Sequence, residues 1–385
     1  MSFVESEERQ ALRKAVFEFG SQYGAEYFTA KARAGEKTTE LWSEAGKLGY
    51  LGVAVPEEFG GGGGGIGDLA AVCEELAAAG SPLLMMVVSP AICATIIARF
   101  GTSEQKQRWL PGFADGSTKM AFAITEPDAG SNSHKLSTSI RREGDEWVLN
   151  GRKTFISGVD EADAVLVVAR HVDSKGQRLL PSLMIVPTDA PGFEWQPIEM
   201  DIVSPEKQFT LFLDEVRLPA DALVGAPDAG IGQLFAGLNP ERIMAASFST
   251  GLARNALARA TEYVKTRKVW DVPIGAHQGL AHPLAQCAVQ IELARLMTQK
   301  AAALYDAGDD KGAGEAANMA KYSAAEAATA TVDQAIQSHG GNGLATEYGL
   351  GALLGASRLG RIAPVSREMI LNYVSQHTLG LPKSY

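Results

Sequence analysis

The stretch Thr125-Glu126-Pro127-Asp128-Ala129-Gly130-Ser131-Asn132 decides how this sequence is interpreted. It follows the apolar run Ala121 to Ile124, and the change to small and polar residues predicts a strand that ends in a tight loop. Phe155-Ile156-Ser157-Gly158 predicts a second strand end of the same kind. By themselves the two stretches favour an ordinary β-turn and strand end. A binding surface for a planar ligand needs support from elsewhere in the chain.

Outward from this stretch, the spacing of apolar residues changes twice. Residues 1–118 predict helices, residues 119–225 predict strands, and residues 226–385 predict helices again. Because the strands are segregated and do not alternate with helices, the pattern predicts an α+β fold of three domains with these bounds. They are an N-terminal helical domain, a middle β-barrel or sandwich domain, and a C-terminal four-helix bundle.

The individual elements follow from the same spacing. We expect N-terminal helices at Glu7–Tyr23, Glu40–Leu48, Asp68–Ala79, Pro90–Phe100 and Ser103–Phe113. In the middle zone, residues 146–155 predict a hairpin that turns at Asn150-Gly151, a pair preferred in two-residue turns. Further strands are expected at Ala164–Ala169, Ser182–Val186 and Phe209–Leu213. The C-terminal bundle is expected at Arg242–Arg267, His282–Asp306 and Gly314–Ser338, with a fourth helix after Leu344.

Composition limits the classes of function. The 385 residues carry a net charge of −10 and are 46% hydrophobic, which argues against nucleic acid or an anionic membrane surface as the main partner. Three separated cysteines, Cys73, Cys93 and Cys287, fit a reducing compartment. We see no apolar run that would span a membrane, and residues 1–5 lack the pattern of a signal peptide. We therefore expect a cytoplasmic protein.

Two other sites are weighed and set aside. The Gly60–Gly65 run matches the G-x-G-x-x-G pattern of dinucleotide-binding folds, but consecutive glycines match it trivially. No acidic residue in Leu83–Val88 is placed to take a ribose hydroxyl, so we interpret the run as a surface loop. The histidines lack metal-ligand spacing, and no metal site is predicted.

Two helix ends in the C-terminal half allow two interpretations each. Gln337 to Leu344 ends a helix in a glycine-rich turn, which is either a plain helix end or a close backbone approach to a pyrophosphate with Gln337 as donor. Arg267 ends another helix just before Trp270. This is either a solvated helix end, or an arginine and an aromatic ring that suit a phosphate and an adenine.

Taken together, these motifs resemble those of the acyl-CoA dehydrogenase family. Residues 125–132 resemble its first motif and residues 337–347 its second, with Phe155-Ile156-Ser157 and Val216–Pro219 in family order, across nearly the whole chain. The resemblance implies FAD and commonly a homotetramer in which the adenosine end of FAD lies between subunits. It implies dehydrogenation of an acyl-CoA thioester to the trans-2-enoyl-CoA, with electrons passed to an electron-transfer flavoprotein.

The resemblance also implies site residues by their position in the motifs. Hydroxyls and backbone amides near Thr125 and Ser157 would favour the negative charge of reduced flavin. Ser131 also matches a position near the CoA arm, and Arg242 is a candidate for orienting CoA. The implied flavin contacts are Phe122, Ile124, Thr125, Gly130, Ser131, Phe155 and Ser157; those to the adenosine diphosphate part are Arg267, Trp270, Gln278, Gln337, Gly341 and Ser366.

The catalytic base is the least conventional part of the resemblance. The family's usual glutamate position falls here on Pro364, which cannot take up a proton. Glu241, beside Arg242, matches the base position of isovaleryl- and long-chain-type members. There it would remove the α-proton while flavin N5 takes the β-hydride, helped by an apolar pocket that raises its pKa. The plain alternative is an acid that stabilises a helix N-terminus.

Two departures keep other functions open. Pro364 has no N–H to polarise the thioester carbonyl, so a neighbour such as Val365 would have to do so, or the loop lies differently. Residues 348–355 replace the family's Glu-Arg-x-x-Arg. The alternatives are a non-catalytic or partner subunit of a heteromeric acyl-CoA dehydrogenase, and an oxygen-reacting flavin oxidase or monooxygenase on the same fold.

Overall fold

The computed structural model describes residues 5–172, 178–227 and 230–383. Residues 1–4, which enter the expectation about a signal peptide, lie outside the described residues. A π-helical turn at Ser89–Ala94 joins the fourth and fifth of the N-terminal helices. These helices are α1 Glu7–Ala34, α2 Thr39–Lys47, α3 Ile66–Ala79, α4 Met85–Val88, α5 Thr95–Phe100 and α6 Ser103–Asp115.

Helix α1 is longer than predicted. It begins after Ser6, whose hydroxyl accepts from the Arg9 N–H at 3.2 Å, and it ends at Gly35 in a left-handed conformation. The predicted end at Tyr23 coincides with a kink at Gly24, where φ is +70°. Glycine adopts this φ at little steric cost, so the chain bends there and continues as helix to Ala34.

The eight strands β1 to β8 form one large sheet, and the order of the strands determines which strand ends lie side by side. The strands are β1 Met120–Ala123, β2 Ser139–Glu143, β3 Glu146–Ser157, β4 Ala164–Val172, β5 Arg178–Pro187, β6 Phe193–Ile198, β7 Gln208–Pro219 and β8 Leu223–Val224. Their order is β6-β7-β3-β2-β4-β5-β8, and β1 pairs in parallel with β4, Met120 opposite Ala164. The apolar alternation of β7 buries one face of this sheet, whereas residues 164–169 of β4 are buried on both faces.

The predicted turn at Asn150-Gly151 is wrong. β3 runs through both residues, and the chain turns between Glu143 and Glu146 instead. The Asn150 side chain bonds the backbone N–H and the carboxylate of Glu215 on β7, at 3.0 and 2.7 Å. A Cβ at Gly151 would lie 2.4 Å from the Thr138 hydroxyl oxygen. The pair therefore forms a bulge, which shifts the β3–β7 register, and not a turn.

The C-terminal region contains three long helices and two short ones. They are α7 Gly230–Thr266, α8 Gln278–Asp306, α9 Asp310–His339, α10 Leu353–Leu359 and α11 Arg367–Tyr373, with a small ladder of β9 Lys268–Val269 and β10 Val272–Pro273 after α7. The prediction of a single fourth helix after Leu344 is wrong in detail. Glycines at 349, 351 and 360, together with Pro364, lie outside the helices and interrupt helical structure there.

The Gly60–Gly65 run is a packed turn. The N–H groups of Gly62, Gly63 and Gly64 donate to backbone carbonyls of residues 52–55 at 2.9–3.0 Å. These donors are used within the protein and do not form a phosphate cradle, so the structure agrees with the loop interpretation. Within the described ranges, no helix combines the length and hydropathy that crossing a membrane requires.

A buried charge cluster joins the two helical regions. Arg13 on α1 bonds Glu74 and Glu75 on α3 at 2.9 and 2.8 Å, and Arg254 on α7 contacts the same two carboxylates at 2.7 Å. Each charge has an opposite partner, which offsets the cost of removing it from water. The cluster therefore holds α7, the helix that carries Glu241, against the N-terminal helices.

Candidate active site

The two strand ends singled out in the sequence are adjacent. The Thr154 N–H donates to the Thr125 carbonyl at 3.0 Å, and the Thr125 hydroxyl donates to the Thr154 carbonyl. Two backbone bonds between Glu126 and Ala129 close the tight loop after β1. The Thr125 hydroxyl is directed to backbone in this structure and is not the free donor that the sequence suggested.

A buried ion pair lies directly behind this loop. The Lys153 ammonium donates to the Glu126 carboxylate at 2.9 Å and to the Ile124 carbonyl at 3.0 Å. Glu126 also accepts from the Ser137 N–H and the Thr138 N–H. Burial would raise the pKa of Glu126, but the Lys153 charge and these donors lower it to about 2. The pair therefore fixes the end of β1 to β3 with both charges satisfied.

The end of β3 presents an aromatic ring outward. The β3–β7 register shifts between Lys153 and Ile156, and Phe155 takes a φ of +55° with 58% of its surface exposed. Non-glycine residues adopt positive φ rarely, so the bulge holds this ring in a set orientation. Ser157 and Gln208 on β7 bond each other at 2.9 Å. Phe155 and Ser157 thus border the same surface as Thr125.

Glu241 lies on α7 in a cluster with two cations. Burial raises the pKa of its carboxyl to about 7, against the opposing charges of Arg242 and Lys321. Arg242 is 8% exposed, and its Nη1 donates to the Asn239 side chain at 3.1 Å. Burial lowers the Arg242 pKa, and the Glu241 charge opposes this shift. A carboxyl group with a pKa near 7 is suited to general-base chemistry.

Cys93 lies between this cluster and the first residues of β1. Its Sγ lies 3.6 Å from the Ala121 carbonyl on β1. Burial raises the pKa of the Cys93 thiol, and the nearby Glu241 carboxylate raises it further. Ser366 is predicted to meet the adenosine diphosphate part of FAD. In the structure its hydroxyl accepts from the Met369 N–H and caps α11. The preceding residue, Val365, accepts a hydrogen bond from Lys321 through its carbonyl. The structure therefore places Ser366 beside the segment that Lys321 of the Glu241 cluster contacts.

The remaining predicted contacts gather at the other end of the bundle. Tyr263, near the end of α7, stacks on His339 at the end of α9 with ring centroids 4.0 Å apart, which brings the two helix ends together. Trp270 is 86% exposed at a φ of +55°. Arg267, Gln278, Gln337 and Gly341 are exposed as well, at the ends of α7, α8 and α9. From Glu241, the Arg267 end of α7 is about 39 Å away at 1.5 Å per residue.

Both groups of residues fit a flavin dinucleotide. A Cβ at Gly130 would meet no atom within 4 Å, and the same holds at Gly341, so a ligand can approach the backbone closely at both places. The exposed rings of Phe155 and Trp270 offer flat apolar surfaces to the isoalloxazine and adenine rings. Apart from Arg267, the predicted ligand contacts are uncharged. This suits a dinucleotide, whose pyrophosphate lies between two aromatic ring systems and can pair with an arginine.

Sequence reasoning missed three of these residues. Lys153, Lys321 and Cys93 were not assigned a role, although one of them carried a signal. Lys321 falls on the same helical face as Ala317 and Ala324, both buried. A lone charge at such a position indicates a buried partner.

Comparison with known proteins identifies the family. Models of the acyl-CoA dehydrogenase N-terminal, middle and C-terminal domains match residues 6–117, 121–213 and 228–379. The chain therefore belongs to the acyl-CoA dehydrogenase family, whose members are FAD-dependent oxidoreductases acting on CH–CH groups. Acyl-CoA dehydrogenase FadE12 of Mycobacterium tuberculosis is 68% identical over 384 residues, covering 100% of this chain and 99% of that protein.

Solved structures confirm the fold class. A glutaryl-coenzyme A dehydrogenase in complex with glutaryl-CoA superimposes with a TM-score of 0.94 at 30% identity, covering 100% of this chain and 98% of that one. A glutaryl-CoA dehydrogenase from Mycobacterium smegmatis in complex with FADH2 gives a TM-score of 0.90 at 27% identity, covering 99% and 96%. The predicted arrangement of helical, β and helical domains is confirmed.

Proposed function

We propose that this protein dehydrogenates an acyl-CoA thioester between the α- and β-carbons, with Glu241 as the base. The observation that carries the proposal is the partly buried Glu241 carboxyl on α7, where burial raises its pKa to about 7. When bound, FAD supplies the acceptor for the hydride that leaves the β-carbon. Pro364 stands at the family's usual base position, and Glu241 matches the base position of isovaleryl- and long-chain-type members.

Glu241 and its neighbours determine when proton removal is possible. Only the ionised carboxylate accepts the α-proton, and a pKa of about 7 leaves a large ionised fraction at neutral pH. Arg242 lies against it and, being 8% exposed, is suited to stabilising the carboxylate. Its suggested contact with CoA, like that of Ser131, stays a prediction.

The direct test is anaerobic titration of the purified flavoprotein with acyl-CoAs of different chain length and branching, followed by flavin absorbance. Wild type is expected to lose its flavin absorbance with at least one thioester. Glu241→Gln is expected to bind the same thioester without bleaching, because the amide cannot accept the proton. A neutral but nearly isosteric side chain separates loss of the base from loss of the pocket.

Glu262→Gln is the matched control, because it makes the same change at an exposed position of the same helix. It should bleach as wild type does. Flavin that stays oxidised with every thioester would refute the dehydrogenation. Full bleaching of Glu241→Gln would leave the reaction standing and refute the assignment of the base.

We further propose a homotetramer that passes its electrons to an electron-transfer flavoprotein. Thr125 and Phe155 lie near the Glu241 end of α7, whereas Arg267 and Trp270 lie about 39 Å along that helix, a separation that one dinucleotide does not bridge. A second subunit can supply the adenosine-binding residues, which supports an assembly. Reduction of an added electron-transfer flavoprotein by the bleached enzyme, without peroxide release in air, would support this acceptor over oxygen. The cytoplasmic location stays a prediction.

A further inference from the structure

Lys321 is a buried cation on α9 without a paired carboxylate. It is 1% exposed on the helix face that packs against α7. Its ammonium donates to the backbone carbonyl of Val365, and in the part of the chain that the structure describes no carboxylate lies within ion-pair distance of it. Burying an unpaired ammonium is costly. The residue therefore needs an electrostatic reason for its position.

The charged groups around Lys321 come from three helices. Glu241 and Arg242 face it from α7, Glu326 from its own helix α9, and Glu368 from α11. Burial lowers the pKa of Lys321 to about 8, while the Glu241 carboxylate raises it. Lys321 is therefore still mostly protonated at neutral pH. Glu241 in turn interacts with two cations, Arg242 and Lys321, and with the Cys93 thiol.

The carbonyl that Lys321 holds belongs to the segment between α10 and α11. Val365 directly follows Pro364, which has no N–H with which to fix its own backbone. Nearby, the Arg367 N–H donates to the Arg361 carbonyl at 3.0 Å, and Arg361 bonds Glu326. The ammonium of Lys321 thus anchors this segment from the side of the bundle that carries Glu241.

We propose that Lys321 is a positioning residue for the reaction, which anchors the Pro364-Val365 backbone beside Glu241 and supplies a second positive charge to the Glu241 carboxylate. The inference rests on the proposed function of Glu241 as the base. Lys321 would give α9 a part in the chemistry. Its side chain links Glu241 to the segment in which Pro364 occupies the family's usual base position. Removing the charge should make the Glu241 carboxylate harder to form.

The test compares Lys321→Met, Lys321→Arg and wild type in anaerobic flavin reduction over a range of pH. Because Lys321 lowers the pKa of Glu241, its removal should move the acidic limb of kcat/KM upward by roughly one pH unit. At pH values below both limbs, this shift corresponds to about a tenfold slower reaction. Lys321→Arg keeps the charge and should shift the limb less. Lys311→Met is the matched control, since it removes an exposed lysine from the same helix.

A second readout does not depend on turnover. The protonated carboxyl band that Glu241→Gln removes from the infrared difference spectrum reports the titration of Glu241 directly. This band should titrate at higher pH in Lys321→Met than in wild type. A variant that only weakened the fold would lower rates at every pH and leave this titration unchanged.

The outcomes separate the inference from the proposed function. If Lys321→Met keeps both the wild-type acidic limb and the wild-type infrared titration, the inference is overturned. If wild type is not reduced by any thioester, the proposed function fails, and the infrared titration still decides whether Lys321 acts on Glu241. Circular dichroism and FAD content check folding. If Lys321→Met does not fold, Lys321→Gln replaces it in both measurements.

Discussion

At the scale of single residues, the site depends on charges that the protein holds away from water. Glu241 meets two cations without a close ion pair, so its pKa of about 7 reflects burial more than its neighbours. Glu126 is also buried, at 4% exposure, but it has a direct partner in Lys153 and a pKa of about 2. The same side-chain type therefore has a pKa near neutrality in one place and far below it in the other.

Lys153→Met should destabilise the protein and loosen the loop after β1. It leaves the Glu126 carboxylate buried without a cation, which costs about 3 kcal/mol of unfolding free energy. Glu126→Gln/Lys153→Met should be less destabilised, because a neutral amide needs no cation. The ionised Glu126 stabilises the fold fully above its ordinary pKa of 4.5, and this contribution is lost as pH falls toward about 2. Chemical denaturation at neutral pH, followed by circular dichroism, measures the unfolding free energy of each variant relative to wild type.

If the double variant loses as much unfolding free energy as the two single variants together, the coupling between Glu126 and Lys153 is contradicted. FAD content, measured on the same samples, reports whether the loop still supports the cofactor. Lys119, which pairs with Glu161 at an edge of the same sheet, provides a control. Lys119→Met removes a less buried charge and should change FAD content little.

At the scale of elements, close helix contact positions α7, the helix that carries Glu241. Helices α3 and α7 cross where Gly251 faces Glu74 and Ala77, and a Cβ at Gly251 would lie 2.3 Å from the Glu74 carbonyl oxygen. The obstacle is backbone, which cannot rotate away. The two helices therefore approach more closely than any larger residue would allow, and the carboxylates of α3 reach Arg254.

Gly251→Ala should lower the free energy of unfolding by about 2 kcal/mol, because it forces α3 and α7 apart. Gly232→Ala on the same helix is the control. A Cβ there would meet no atom within 4 Å, and the higher helix propensity of alanine should stabilise by up to about 1 kcal/mol. Both values come from denaturant titration. Equal effects of the two substitutions would show that helix packing at Gly251 is not the cause.

At the scale of the whole molecule, one helix carries an apolar stripe that the described residues 5–172, 178–227 and 230–383 leave exposed. Val289, Leu293 and Leu296 on α8 are 59%, 61% and 43% exposed. Their spacing of four and three residues places them on one face. Clustered exposed apolar side chains of this kind mark an interface, which fits the proposed assembly of several copies.

Leu293→Glu should therefore dissociate the assembly, because a carboxylate in an apolar interface loses its hydration without gaining a partner. Sedimentation velocity is expected to show a smaller species, and FAD content should fall if the adenosine end is bound by a second copy. Leu48→Glu, at a position 52% exposed on the N-terminal helical region, is the control and should leave both unchanged. A monomeric wild-type protein with full FAD would refute the proposal.

The sequence by itself determined the order of helical, β and helical regions and the motifs that place the chain in its family. These depend on local spacing of apolar residues and on short runs of small and polar ones. The same reasoning failed at Asn150-Gly151, because an Asn-Gly pair suits a turn until a third strand offers Asn150 a partner in Glu215. It also failed after Leu344, where repeated glycines break one expected helix into two.

The tertiary structure alone decided which charges meet. The Glu126–Lys153 pair joins the loop after β1 to β3. The second cluster draws on three separate segments, which contribute Glu241, Lys321 and Val365. No local pattern relates such residues, since their pairing depends on how the sheet and the helices pack. Whether Glu241 is a buried base or an exposed helix acid is likewise a property of its surroundings, because desolvation by those elements sets its pKa.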